Sequence, residues 1–329
     1  MGTKITVIGG SGFVGTNLCR HLKAKGLDFE IIDIKLSNQF PEKCKIGDVR
    51  DIETLRTTID GDVVVNLAAV HRDDVPNRSE YSRTNIDGAA NIASVCTEKG
   101  IRKIVFTSTV AVYGFAEPGT DETGAINPFN EYGRTKFEAE QKLRAWQITG
   151  KNSLIIVRPT VIFGEGNRGN VFNLLSQIAT HRFVMIGRGN NKKSMAYIQN
   201  VIAFLETCII TEQKYGVYNY VDTPDLTMNE LVALVRATLT GKKGVGLRLP
   251  YWLGMLLGLL ADIISKVTKK NLPVSSIRVK KFASSTEFSS SKNRLENFEA
   301  PFDLYQGLNR TLKSEFLTQD NDQEIFFTE

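Results

Sequence analysis

Tyr132 and Lys136 stand four residues apart in Glu131-Tyr-Gly-Arg-Thr-Lys-Phe-Glu138, after a hydroxyl cluster, Thr107-Ser108-Thr109, and a glycine-rich turn near the N-terminus. On a helix, residues at i and i+4 share a face. An ammonium beside a phenol there favours phenolate and is expected to lower a pKa that is ordinarily about 10. A phenol tuned in this way takes a proton from an alcohol while the carbon gives up hydride. A Tyr and a Lys at this spacing also occur as exposed helix neighbours, so the pair gains its meaning from what surrounds it.

The surroundings supply a hydride acceptor. Ile5-Thr-Val-Ile-Gly9-Gly-Ser11-Gly12-Phe13-Val14-Gly15 reads as a strand, a tight glycine turn and a helix start, which presents free backbone N–H groups to a pyrophosphate. Asp33 closes a second strand 18 residues beyond Gly15, where a carboxylate bonds the adenosine ribose hydroxyls and repels a 2'-phosphate. NAD is therefore expected over NADP. Asp48 and Val49, after the next segment, are candidates for the adenine end, with a helix-capping aspartate as the alternative.

These residues need a scaffold, and the first half of the chain alternates short apolar runs with helical patterns. Residues 4–8, 29–34, 62–68, 103–107 and 153–157 read as strands, with helices near 13–25, 51–59, 79–99 and 131–149. The pattern predicts an α/β fold, a Rossmann-type doubly wound parallel sheet, over residues 1–164. After Gly164 the pattern becomes irregular, which predicts a smaller substrate-binding lobe over 165–317. The segment at about 195–225 returns to the sheet in this reading, and a loosely held tail covers 318–329.

The composition, 42% hydrophobic and 23% charged over 329 residues, is large and apolar enough for two lobes. Four cysteines without C-x-x-C spacing and three dispersed histidines predict a reduced compartment and no metal. The N-terminus enters a strand directly, so export is not expected and a cytoplasmic location is.

Charge is concentrated. Residues 241–281 hold nine Lys or Arg against the single acid Asp262, a local net of +8, so the remaining chain carries −3 of the total +5. Within that stretch, residues 249–261 are thirteen without a charge, short of the roughly 18 that suggest a membrane span. Two readings stand: a buried helix of the substrate lobe, or an apolar, basic-flanked segment lying on an anionic membrane surface. Nucleic acid is not expected, because the basic residues alternate with aliphatics instead of stacking aromatics.

Gly9/Gly12/Gly15, Asp33, Asp48, Asn66-Leu67-Ala68-Ala69, Thr107 to Gly114, Tyr132-x-x-x-Lys136 and Arg158-Pro159 together resemble the extended short-chain dehydrogenase/reductases, within them the nucleotide-sugar epimerases and dehydratases. The resemblance implies that Tyr132 is the acid/base, that Lys136 binds the nicotinamide ribose, and that Thr109 bonds the reacting oxygen. Leu67, Ala68, Ala69, Thr107 and Pro159 would join the cofactor contacts. Val110, Asn170 and Lys193 would join Thr109 and Tyr132 at the substrate. Related dehydratases and decarboxylating relatives place carboxylates in the segment that here reads Thr109-Val-Ala-Val-Tyr-Gly114, so 4-epimerisation is the expected reaction. Thr286, with Ser284 and Ser285, falls near a gatekeeper position whose small size would admit an N-acetyl group.

His71-Arg72, Gly169-Asn-Val, Lys193 to Tyr197, Tyr218 to Asp222 and Val279 to Phe282 further resemble a bacterial group of 4-epimerases. Their substrate is N-acetylglucosamine linked through diphosphate to undecaprenol, in O-antigen biosynthesis. This implies a lipid-linked sugar diphosphate, peripheral attachment to the inner face of the cytoplasmic membrane, and a homodimer through helices near 85–99 and 131–147. The alternatives are a soluble epimerase of UDP-sugars and a non-catalytic NAD-binding regulator.

Overall fold

The structure is a computed structural model that describes residues 2–72, 75–268, 275–290, 295, 298–318 and 323–328. Seven parallel strands form the central sheet in the order Tyr215–Tyr220, Ser153–Pro159, Lys103–Thr107, Val63–Asn66, Ile5–Ile8, Phe29–Asp33 and Cys44–Ile46. The inner strands are almost wholly buried on both faces, as continuous Val/Ile runs require when helices cover both sides. Strand order reverses between Ile5–Ile8 and Val63–Asn66, which opens a crevice at the carboxyl ends of those strands.

The short edge strand Cys44–Ile46 carries no legible pattern, since its three residues are half-buried or exposed at the sheet margin. At the opposite edge Tyr215–Tyr220 returns to pair with Ser153–Pro159. The helical run expected near 79–99 is continuous but not uniform, with a π-helical stretch at Ser82–Asp87 leading into Gly88–Glu98.

In the second half, the helix Tyr251–Thr268 is 18 residues long with a mean hydropathy of 1.3, so by length and composition it would also reach across a bilayer. It is not a buried core helix. Only Gly254 and Gly258 are buried, while Trp252 (67% exposed), Ile263 and Val267 (78%) face outward with Leu256, Leu257, Leu259, Leu260 and Ile264. The inner face is pinned to the lobe. A Cβ at Gly258 would fall 2.8 Å from the Ser276 backbone, and Asp262 accepts hydrogen bonds from Ser276 N (3.2 Å) and Oγ (2.5 Å). Lys242, Lys243, Arg248, Lys266, Arg278, Lys280 and Lys281 are exposed around it, while Lys269 and Lys270 lie outside the described residues.

Candidate active site

The crevice is a cleft of about 1140 Å³ that runs from the glycine turn to the second lobe. At the turn, Gly9 adopts φ +81°, and a Cβ there would sit 2.8 Å from Ala68 N; at Gly15 it would sit 2.4 Å from Gly9 O. Only glycines let the turn, the helix Phe13–Ala24 and the Leu67-Ala68-Ala69 segment come this close. Helix-end N–H groups therefore face open space in the cleft, where a pyrophosphate is favoured.

Ser11 works from behind. Its N–H donates to Asp33 Oδ2 (2.9 Å) and its Oγ to Lys35 O (3.0 Å), so it holds the Asp33 carboxylate at the cleft wall without lining it. Asp48 also lines the cleft, and hydrogen bonds from Arg50, which also reaches Glu80, hold its carboxyl below the usual range. Val49 is packed beneath, with its carbonyl accepting from Asn91 Nδ2 (2.9 Å).

The reactive end is built by the helix Glu131–Gly150. Asn130 caps it by accepting from Gly133 N (2.9 Å), and Glu131 sits in its first turn, where an acid suits the helix dipole. A Cβ at Gly133 would lie 2.4 Å from Ala111 O, so the helix start packs hard against the turn Val110–Tyr113. That approach sets Tyr132 in hydrogen-bond contact with Thr109, whose Oγ also accepts from Ala111 N (3.1 Å). Asn85 staples the opposite wall to this helix, bonding Val70 N and O and Thr135 Oγ1.

The electrostatics differ from the expectation for an ammonium beside a phenol. Burial pushes the Tyr132 phenol up to about 12, against a smaller lowering from the Thr109 bond, and pushes Lys136 down to about 7. Desolvation disfavours the charged form of each group and is the largest influence on both. Lys136 is 1% exposed with its ammonium 4.1 Å from the Phe106 ring centroid. Its main opposing influence is Glu140, one turn on, which is held by Arg158 (2.9 and 2.5 Å). Arg158 also donates to Tyr113 Oη (2.7 Å), which donates to Asn219 Oδ1 (2.8 Å).

Two buried hydroxyls in the same wall, Thr107 Oγ1 and Ser108 Oγ, have no partner among the described residues. Orphaned donors beside a glycine-lined turn and a carboxylate at a strand end suit a dinucleotide and its substrate, so the residues fit NAD. Among the described residues the cleft-lining carboxylates are Asp33, Asp48 and Glu80, all toward the turn and the Arg50 cluster; none accompanies Tyr132 and Thr109.

The cleft also gathers Val110, Pro159 and Asn170, the first residue of the helix Asn170–Ala179, and of the three small residues at 284–286 only Thr286. Lys193 lies elsewhere. Its Nζ donates to the carbonyls of Lys281 (2.9 Å) and Ser284 (2.6 Å), and burial lowers it to about 8.

Several lining residues had no sequence signal: Ser194, which accepts from Phe288 N and donates to Asp225 Oδ2; Asn167; and Thr328 from the tail. Residues 323–328 are held in place. Phe326 N donates to Gly166 O and Arg168 N to Phe326 O (2.8 Å each), and the Phe326 ring lies 5.7 Å from Phe13 in the turn region. Thr328 O meets His71 Nε2 (3.1 Å), and the His71 ring stands edge-on to Tyr132 at 6.5 Å.

A Rossmann sheet with a glycine turn, a strand-end aspartate and a Thr–Tyr–Lys constellation defines an NAD-dependent oxidoreductive site acting on a hydroxyl. Residues 5–220 match the model of the NAD dependent epimerase/dehydratase family, and the chain belongs to that family. It is 47% identical, over the full length of both chains, to the N-acetyl-alpha-D-glucosaminyl-diphospho-ditrans,octacis-undecaprenol 4-epimerase of Escherichia coli O157:H7. It is 28% identical to the UDP-glucose 4-epimerase of Vibrio cholerae, over 82% of this chain and 86% of the relative. The structure of UDP-N-acetylglucosamine 4-epimerase from Bacillus cereus superposes with a TM-score of 0.75, covering 94% of this chain and 98% of that one at 18% identity. The last shows the shared fold.

Proposed function

We propose that the protein interconverts N-acetylglucosamine and N-acetylgalactosamine at C4 while the sugar is carried on undecaprenyl diphosphate, for O-antigen or related surface polysaccharide. The observation that carries the reaction is the reactive end itself: Tyr132, Thr109 and Ser108 face the cleft with no carboxylate among the described residues to drive elimination. The carrier is argued from the 47% identity over both full lengths, together with the exposed apolar helix.

NAD+, when bound, would supply the hydride acceptor. Tyr132 Oη removes the C4 hydroxyl proton and later returns it. Thr109 orients that oxygen through the bond it already makes with Tyr132. Lys136, beneath, holds the ribose and restores positive charge near the phenol. The Thr107 and Ser108 hydroxyls gain the partners they lack. The 4-keto sugar turns over between the two hydride transfers, so the wide mouth toward Thr286 and Asn170 has a use.

The helix Tyr251–Thr268 lies on an anionic membrane surface and does not cross it in this reading, because Gly254 and Gly258 fix it along the lobe. Seven described basic residues around it add attraction of about 1 kcal/mol each near such a surface. We infer peripheral attachment at the cytoplasmic face and, separately, a homodimer through the helices near 85–99 and 131–147, which overlap the adjacent helices Gly88–Glu98 and Glu131–Gly150. A soluble UDP-sugar epimerase is the second reading, favoured by the 28% match to the Vibrio cholerae enzyme.

The reaction is tested with substrate deuterated at C4. Product that retains the label under solvent H2O supports reversible oxidation at C4, and washout of the label into solvent would exclude it.

A further inference from the structure

We propose that the polyprenyl chain leaves the cleft across an aromatic rim, Phe115 and Phe129, and passes beside Lys281 onto the exposed helix Tyr251–Thr268. The proposal rests on the lipid-linked reading above. Phe129 lines the cleft, and its ring lies 4.7 Å from that of Phe115, which is 66% exposed. A pair of large aromatics left open beside the cleft marks a surface that meets an apolar ligand.

Across the mouth, Lys281 Nζ sits 5.0 Å from the centroid of the Phe129 ring. Lys281 belongs to the helix Ser276–Ala283, whose first residue is clasped by Gly258 and Asp262 of the apolar helix. Lys193 secures the other end by donating to the Lys281 and Ser284 carbonyls, as cations do at helix C-termini. A line of contacts thus runs from the cleft through Phe129 and Lys281 along the helix Ser276–Ala283 to its seam with the apolar helix at Gly258 and Asp262, whose other face carries the outward leucines and isoleucines.

The order matches the ligand. A lipid-linked sugar presents sugar, then diphosphate, then hydrocarbon; the protein presents Tyr132, then a rim with an ammonium, then an apolar face. The first isoprene units lie on Phe115 and Phe129, the Lys281 charge faces the diphosphate, and the rest of the chain stays with the membrane. A UDP-sugar ends at its uridine and leaves the apolar helix without a role in binding.

The test compares kcat/KM for substrates whose diphosphate carries an eleven-isoprene chain or a single methyl group, in wild type, Phe115→Ser and Lys281→Gln, with thermal melts and NAD binding as folding controls. The ratio of eleven-isoprene to methyl kcat/KM is expected to fall about tenfold in Phe115→Ser. Lys281→Gln should raise KM for both. A wild-type ratio retained in Phe115→Ser, with KM unaltered in Lys281→Gln, overturns the path while leaving the lipid-linked reading intact. If wild type turns over the UDP-linked sugar faster than the eleven-isoprene substrate, that reading falls and the path with it.

Discussion

Tyr132 is carried as a neutral phenol near neutral pH while Lys136 stands near its midpoint there, because burial raises the phenol to about 12 and lowers the amine to about 7. The signs give a stability prediction. Between about pH 7 and the ordinary lysine value the unfolded chain holds a proton on Lys136 that the folded chain does not, so the Lys136 contribution to stability rises with pH over that window. Melting of the cofactor-free protein should show that rise in wild type, and Lys136→Met should make it shallower, leaving what the buried Lys103 and Lys193, each lowered to about 8, contribute; parallel wild-type and variant profiles would contradict the buried amine. At the same scale, Tyr132→Phe should lower kcat about 10³-fold, as loss of a positioned acid/base does, while NAD titration stays near wild type.

At the scale of elements, the catalytic helix Glu131–Gly150 is tied to the sheet by the buried pair Glu140–Arg158, both under 7% exposed. Removing one partner leaves an unpaired buried charge. Arg158→Met should therefore cost ~3–5 kcal/mol in urea denaturation, whereas breaking an exposed pair such as Arg56–Glu98 should leave the urea midpoint close to wild type. The tail offers a second prediction. Phe326→Ala removes a core ring and its aromatic pair with Phe13, worth about 1 kcal/mol beyond burial, so NAD binding should weaken roughly fivefold and stability should fall by about 3 kcal/mol in urea denaturation.

These elements also explain what the sequence makes legible. Gly9, Gly15, Asp33, Tyr132 and Lys136 are readable because strand–turn–helix geometry and i, i+4 spacing are local. Cys44–Ile46 is too short to show a period, and Thr328 reaches His71 across 257 residues of chain, which no local pattern announces. Lys193 stands in a readable motif, yet its bonds to the 281–284 carbonyls depend on how the second lobe packs. The apolar stretch 249–261 was ambiguous for the same reason, since burial of an apolar helix is a property of its neighbours. The structure leaves its outer face uncovered.

At the scale of the whole molecule, a Rossmann enzyme of the epimerase/dehydratase family presents an apolar helix, Tyr251–Thr268, to its surroundings among exposed basic residues. Ile263→Glu with Ile264→Glu should abolish sedimentation with phosphatidylglycerol vesicles while NAD binding persists, and wild-type binding should weaken as salt is raised. The most direct measurement of the central claim uses one preparation and two substrates: N-acetylglucosamine on undecaprenyl diphosphate and on UDP, each with anionic vesicles present. At least tenfold faster 4-epimerisation of the polyprenyl substrate is the result this account predicts; equal or faster conversion of the UDP-sugar would contradict it.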